Sequence, residues 1–190
     1  DGATGRTPVQ ALGAARLVRI SRSTRSETVE IYHERIRDSV LANMDHATLV
    51  GCHRQLIALY RSFPETHEPE RLAQHLQAAG ETQAAQQHMV AAARHAAAAL
   101  AFARAAELFL AALRLCPDAD HPTRRSLLEA AAAAFHSAGN PSESAACYLA
   151  AAGLAPPTAG LRLRQQAAAA LIDCGGFARS EALLHEVLRG

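Results

Sequence analysis

The chain has 190 residues and a formal net charge of +1, and 49 % of its residues are hydrophobic while only 4 % are aromatic. A charge this small creates no overall field for nucleic acid or an anionic membrane, and the longest apolar runs, such as 96–101, are too short to span a bilayer. Much of the hydrophobic share is alanine, which favours thin helices packed close together over a β-sandwich or barrel.

The N-terminal region contains the only convincing strand pattern of the chain. Residues 1–8 are typical of a loop, and 9–17 can form a short helix. Two β-branched runs then flank a Ser/Thr/Arg turn, which predicts a hairpin that pairs 17–21 with 28–33. A helix leading into a hairpin resembles the last helix and wing of a winged-helix fold, and only that end of the fold is present.

The string YHERIRD at 32–38 opens a predicted helix. It resembles a motif that closes the winged helix of STAND-type signalling ATPases, relatives of AAA ATPases that switch between ADP-bound and ATP-bound states. The resemblance implies that His33 contacts the β-phosphate of ADP and that Glu34 is the acid beside it, followed by the Ile-Arg-acid step at 36–38. Tyr32 departs mildly from the motif, because some members carry Met there.

A second interpretation of His33 stays open. A histidine at the point where a strand meets a helix often hydrogen-bonds a backbone group. The phosphate loop that would hold the nucleotide is not in the sequence. We therefore expect no cofactor in this fragment, and ATP or ADP in the parent protein that the resemblance implies.

Residues 45–60 form the next predicted helix, with Asp45 as its N-cap. Its buried side is expected to carry Leu49, Leu56 and Leu59. The stretch SFPETHEP at 62–69 holds two prolines and is typical of a linker. We place a domain boundary there, with a partial winged-helix end and its connecting helices at 1–62 and helical repeats at 63–190.

The clearest helix pattern covers residues 102–117, FARAAELFLAALRLCP. Helical spacing places six apolar residues on one stripe: Phe102, Ala105, Ala106, Phe109, Ala112 and Leu113. A small residue stands four before a ring, and a proline stands eight after that ring. Ala105, Phe109 and Pro117 thereby resemble the A-x3-F…P half of the tetratricopeptide repeat, in which the small residue lets two helices approach and the ring fills the gap.

The same spacing recurs elsewhere in the C-terminal part. Ser144, Tyr148 and Pro156 reproduce it, and the long helix at 82–99 is predicted to be shared by two repeat units. The positions assigned to repeat packing are Ala85, Met89, Phe102, Ala105, Phe109, Phe135, Ser144, Tyr148, Leu171, Ser180 and Leu184. The expected fold is all-α: a tetratricopeptide-like α-solenoid of antiparallel helix pairs, preceded by a small β-hairpin.

The order of these parts resembles bacterial regulators that fuse a serine/threonine protein kinase or a nucleotide cyclase to a STAND-type ATPase. Their arm carries the same landmarks in order: YHERIR, a helix pair, ERLAQHLQAAG, LAFARAAELFLAAL and LIDCGGFARSEALLHEVL. The resemblance covers nearly the whole chain and implies a regulatory arm with its kinase and ATPase domains upstream. Because the chain begins at Asp1 rather than Met and ends at Gly190 within a helical pattern, we expect a truncated piece of a longer protein.

The ten histidines and four cysteines follow no spacing typical of a metal or catalytic site. His46 and His53 stand seven residues apart, as do His88 and His95, so each pair can share a helix face. No H-E-x-x-H, G-x-G-x-x-G or G-x-S-x-G motif occurs. We expect free thiols, no metal site and no catalytic residues, and the fragment is not predicted to be an enzyme.

Two functions follow from this sequence. The first is a cytoplasmic regulatory arm that binds a partner protein or peptide, or another copy of itself, and couples this binding to the upstream nucleotide switch. The alternative is a DNA-binding regulator in which Arg19, Arg22 and Arg25 of the hairpin contact phosphates. Nucleic acid is not the expected partner, because the hairpin lacks interleaved aromatic residues for base stacking. A membrane is not expected either.

Overall fold

The computed structural model describes residues 8–22, 27–62, 69–117, 119–173 and 175–189. The chain divides into two compact units, Asp1–Gly51 and Cys52–Gly190. This division falls inside a helix, His46–Ser62, whereas the predicted domain boundary lies in the linker that follows it. The assignment of the two predicted domains stays a prediction.

The N-terminal unit combines short helices with a hairpin. In chain order its elements are α1 (Pro8–Ala14), β1 (Val18–Arg22), β2 (Glu27–Ile31), α2 (Glu34–Asn43) and the start of α3 (His46–Ser62). The strands pair antiparallel, with Val18 opposite Ile31 and Ile20 opposite Val29. This register confirms the predicted hairpin and places the four apolar residues on one face.

The N-terminal unit buries little of its own apolar surface. The first helix approaches the hairpin so closely that a Cβ added to Gly13 would lie 3.1 Å from Cδ1 of Ile20. Even so, Ile31 and Val40 remain 48 % and 52 % exposed. None of the unit's residues whose exposure is described is buried.

The C-terminal unit is a stack of helices. After α3 come α4 (Pro69–Ala78), α5 (Thr82–Ala98), α6 (Phe102–Leu115), α7 (His121–Ser137), α8 (Pro141–Ala152), α9 (Pro157–Asp173) and α10 (Phe177–Arg189). From α4 onward each helix packs mainly against its neighbours in sequence, and the short connections make consecutive helices antiparallel. Within the described ranges the fold is all-α, a tetratricopeptide-like α-solenoid with a small two-stranded sheet, which confirms the predicted fold class.

The same tight turn follows α4, α5, α7 and α9. One residue with positive φ ends the helix, and the N–H of the next residue donates to a carbonyl in the last helical turn at 2.8–2.9 Å. The residues with positive φ, between 61° and 82°, are Gly80, Leu100, Gly139 and Gly175. Glycine adopts this conformation without a Cβ clash, whereas Leu100 adopts it at a cost. α5 has this turn at both ends and packs against both α4 and α6. Its sharing by two repeat units stays a prediction.

Aspartates cap the N-termini of α3 and α7. Oδ1 of Asp45 accepts the N–H of Thr48 at 2.9 Å, and Oδ1 of Asp120 accepts the N–H of Thr123 at 2.9 Å. The first of these confirms the predicted start of the helix. Hydrogen bonds from the two threonines lower the pKa of both carboxyl groups, because they stabilise the charged form.

The buried side of α3 differs from the predicted one. Leu56 and Leu59 are 38 % and 56 % exposed, so their predicted burial is wrong. Ile57 takes the inner position instead, with 2 % exposed, and packs against leucines of α4. The inner stripe also contains His53 and Tyr60, which are half-buried. A pattern built on leucines alone therefore takes the wrong phase of the helix.

Alanine lines the core of the stack. One cluster runs from α4 to α8, and its fully buried members are Ala73, Ala93, Ala105, Ala106, Ala112, Ala131 and Ala132. Side chains this short let neighbouring helices approach closely. Among the helices of the described ranges, none is both long and apolar enough to cross a membrane.

Candidate interaction surface

Four small side chains at the predicted packing positions are buried in the helical stack. Ala85, Ala105 and Ser144 are fully buried, and Ser180 is 2 % exposed. Oγ of Ser180 donates a hydrogen bond of 3.0 Å to the carbonyl of Ala168, which ties α10 to α9. A larger side chain at any of these positions would push two helices apart.

Three rings fill the spaces between the helices. Phe109 is buried with 7 % exposed, and the half-buried rings of Phe135 and Tyr148 pack against the same alanine-rich cluster. Tyr148 also packs against the clusters that contain Leu163 and Leu171. Its ring therefore joins three parts of the core.

The remaining packing positions divide by burial. Met89 and Leu171 are each 6 % exposed, and Phe102, the first residue of α6, is half-buried. Leu184 on α10 is 36 % exposed and lies beside Phe177, which is 67 % exposed. The assignment of all these positions to repeat packing stays a proposal.

A groove crosses α5 between α4 and α6, and we call it the α4–α6 groove. Its volume is about 330 Å³. Its floor on α5 consists of Ala92, His95 and Ala96, and its walls are formed by Pro69, Glu70, Arg104 and Leu108. The groove is thus largely apolar inside, with charged side chains on its walls.

Ion pairs cross one side of the α4–α6 groove. Arg104 of α6 is hydrogen-bonded to Glu70 of α4 and, at 2.8 Å, to Glu107 of its own helix. The hydrogen bond that Arg104 donates to Glu107, together with the charge of Glu70, raises the pKa of Arg104. Half of the Arg104 side chain is exposed, so each pair contributes little stability by itself. Together they hold the guanidinium across the rim of the groove.

A second charged cluster joins α7 to α9. Glu129 accepts a hydrogen bond from Arg162 at 3.2 Å and pairs with Arg125 at 3.4 Å. Burial raises the pKa of the Tyr148 hydroxyl, and the negative charge of Glu129 raises it further while Arg162 opposes this shift. Sequence reasoning missed this cluster, because no local spacing relates residues on different helices.

His33 is the N-cap residue of α2, and its side chain is exposed. Its backbone is extended, with φ −139° and ψ 135°, and its side chain makes no capping hydrogen bond. The ring instead meets the ring of Tyr32 edge-on at 4.7 Å. One turn of α2 carries the ion pair of Glu34 and Arg37 at 3.7 Å. Contact of His33 with ADP stays a prediction.

Sequence reasoning also missed a histidine pair. Nδ1 of His53 on α3 lies 3.0 Å from Nδ1 of His75 on α4, and the two residues are 22 positions apart. Within the described part of the chain, no group of three or more His, Cys, Asp or Glu side chains is placed to hold a metal ion. Cys52, Cys116 and Cys147 are free thiols, and burial raises the pKa of Cys147.

The arginines of the hairpin are only partly described. The guanidinium carbon of Arg19 lies 5.4 Å from the centroid of the Tyr32 ring, and Glu30 stands opposite Arg19 on the partner strand. Arg25 and the side chain of Arg22 lie outside the described residues. Contact of this hairpin with DNA stays a prediction.

Comparison with known proteins gives similarity of fold at a low level. No protein-family model matches the chain, and no curated protein matches it significantly. A crystal structure of nearly identical TPR-like repeats of a kinesin light chain from Podosopora anserina superposes with a TM-score of 0.43 at 18 % identity, covering 76 % of this chain and 86 % of that one. A variant of those repeats superposes with a TM-score of 0.42 at 18 % identity, covering 76 % of this chain and 85 % of that one. The tetratricopeptide-like assignment therefore rests on the helix packing itself.

Proposed function

We propose that this chain is a protein-interaction arm, which binds a partner protein or peptide, or a second copy of itself, on its helical stack. The observation that carries the proposal is the α4–α6 groove, about 330 Å³ in volume. Stacked helix pairs present extended surfaces of this kind, and ligands bind there by matching shape and charge.

The chemistry of the groove fits a peptide segment with small apolar side chains and at least one charged side chain. The floor of Ala92 and Ala96 leaves room for methyl-sized groups. Glu70 can accept a hydrogen bond from a basic residue, and Arg104 can donate one to an acidic residue. Recognition would then depend on both wall charges and the narrow floor.

Site-specific photo-crosslinking tests binding at the groove. A photoreactive residue in place of His95, on the groove floor, should capture a partner or a second copy of the chain. The same residue in place of the exposed Ala133 on α7, outside the groove, is the matched control. Equal capture at both positions contradicts the groove as the binding site. The absence of any partner, together with a monomer in light scattering, contradicts the interaction role.

We further propose that the arm belongs to a signalling ATPase fused to a serine/threonine protein kinase or a nucleotide cyclase, acting in the cytoplasm. The order of the landmark segments and the YHERIRD string at 32–38 support this parent. In this parent protein, His33 would contact the β-phosphate of ADP. Occupation of the arm would bias the nucleotide state, and by linkage the nucleotide would change the affinity of the arm for its partner by the same factor.

The parent protein can be tested at two levels. The upstream reading frame should encode a phosphate loop and a kinase or cyclase signature, and the absence of both removes this proposal. In the full-length protein, His33→Ala should weaken ADP binding, while His46→Ala, an exposed histidine at the start of α3, should not. Unchanged ADP affinity in the His33 variant contradicts the assigned contact.

DNA binding remains the alternative, supported by the exposed Arg19 on the hairpin. The acid Glu30 opposite it weakens a phosphate-binding surface. Titration of duplex DNA at about 50 mM salt discriminates, because phosphate contacts are strongest at low salt. No binding under that condition removes the alternative.

A further inference from the structure

The contact between α3 and α4 includes two facing imidazoles. Nδ1 of His53 and Nδ1 of His75 are 3.0 Å apart, the ring centroids are 5.2 Å apart, and both side chains are half-buried. The ring of Tyr60 lies 5.5 Å from that of His75 on the same side. The distance between the two Nδ1 atoms is that of a hydrogen bond. The Nδ1 of one ring therefore carries a proton and donates the hydrogen bond, and the Nδ1 of the other ring accepts it.

The protonation state of the pair decides whether this hydrogen bond exists. A pair with no net charge supports it, and a pair with one extra proton also does, since a charged imidazole can donate to a neutral one. A second extra proton places an N–H on both Nδ1 atoms, and two donors then face each other at 3.0 Å. That state has no hydrogen bond and two like charges in contact.

The surroundings of His75 oppose its protonation. Burial lowers the pKa of His75 below its ordinary 6.5, and the nearby His53 and Arg71 lower it further. The Tyr60 ring of α3 lies beside the His75 ring, and the next residue, Arg61, forms an ion pair of 3.5 Å with Glu81 just before α5. When α3 leaves α4, the imidazole of His75 regains water and takes up a proton more easily.

We propose that His53 and His75 form a proton-operated latch, which holds the second half of α3 on α4 near neutral pH and releases it when the pair takes up its second extra proton. Docking of α3 also involves Ile57 and Tyr60, which pack with the leucines of α4, and the exposed ion pair of Arg61 and Glu81. Release is therefore local and leaves the stack from α5 onward folded.

The direction of the pH effect follows from linkage. Because the pKa of His75 is lowered in the docked state, docking is strongest above about pH 6.5 and weakens as the pH falls from there to the lowered pKa. In the steepest part of that range, the equilibrium constant for opening should rise about tenfold per pH unit for each proton taken up.

Amide hydrogen exchange of the full chain between pH 7.5 and 5 tests the latch. After correction for intrinsic exchange rates, protection of residues 52–62 should decrease as the pH is lowered, while protection of α7 stays constant. His75→Gln should abolish the pH dependence, whereas His53→Gln should only reduce it, because burial and Arg71 still lower the pKa of His75, and His46→Gln should keep it in full. A pH dependence that survives in the His75 variant, or that is undiminished in the His53 variant, overturns the proposal.

Nitrogen-15 NMR of the histidine rings gives a second test that needs no variant. The Nδ1 signals of His53 and His75 should titrate together in two steps, because the protons belong to a coupled pair. Loss of α3 protection should accompany the second step. Independent titration of the two rings, with α3 protection unchanged, also overturns the latch.

Discussion

Leu100 stands at a turn where the matching positions hold glycine. Its φ is 61°, and it is 73 % exposed, so its side chain buries little to offset the cost of the left-handed conformation. Leu100→Gly should therefore stabilise the chain by about 1 kcal/mol, measured by urea unfolding. The matched control is Gly139→Ala, whose added Cβ meets nothing within 4 Å and should cost about 1 kcal/mol through the backbone alone. If both variants changed the free energy of unfolding by the same amount in the same direction, the assigned role of the left-handed conformation would be contradicted.

Tyr148 is the residue whose loss should loosen the most contacts, because its ring packs against three core clusters. We expect Tyr148→Ala to lower the free energy of unfolding by about 2–3 kcal/mol, less than for a fully buried ring since Tyr148 is half-buried. Phe177→Ala, at a ring that is 67 % exposed, should change it by less than about 0.5 kcal/mol. Chemical denaturation of both variants measures the two changes. Similar losses of unfolding free energy would contradict the greater contribution of Tyr148 to the core.

At the scale of the element, the cap of α7 has a predictable pH dependence. The pKa of Asp120 is lowered by its hydrogen bonds with Thr123, so the stabilisation from its charge is present above pH 3.8 and is lost as the pH falls through the lowered pKa. Asp120→Asn keeps a capping oxygen without the charge. The melting temperature of the wild type should therefore fall relative to that of the variant between pH 5 and pH 2. A difference in melting temperature that stays constant over this range would contradict a charged cap at Asp120.

Elements were predictable where local chemistry encodes them. Gly139 ends α7, Asp45 starts α3, and the alternating residues 18–20 give the hairpin. The inner face of α3 was not predictable, because it contains the imidazole of His53, which an apolar pattern omits. The same limit hid the ion pair of Arg104 and Glu70: its partners meet only after α4 and α6 are placed on either side of α5.

At the scale of the whole molecule, the two units should differ in stability. The N-terminal unit has no buried residue among those described, whereas the C-terminal unit has a continuous alanine-rich core. A piece of residues 45–190, which keeps the Asp45 cap, should unfold cooperatively, and residues 1–44 alone should show no cooperative transition in circular dichroism. A cooperative transition in the shorter piece would contradict this difference.

The stack is formed by aromatic rings that insert between helices whose contacts are lined by alanine. Fluorine-19 NMR of the chain labelled with 4-fluorophenylalanine tests it, because the shift between H₂O and D₂O reports solvent contact at each ring. We expect a shift close to zero for Phe109, an intermediate shift for Phe135 and a large one for Phe177, in the order of their exposure. A shift for Phe109 as large as that for Phe177 would place the ring in water and contradict the stack.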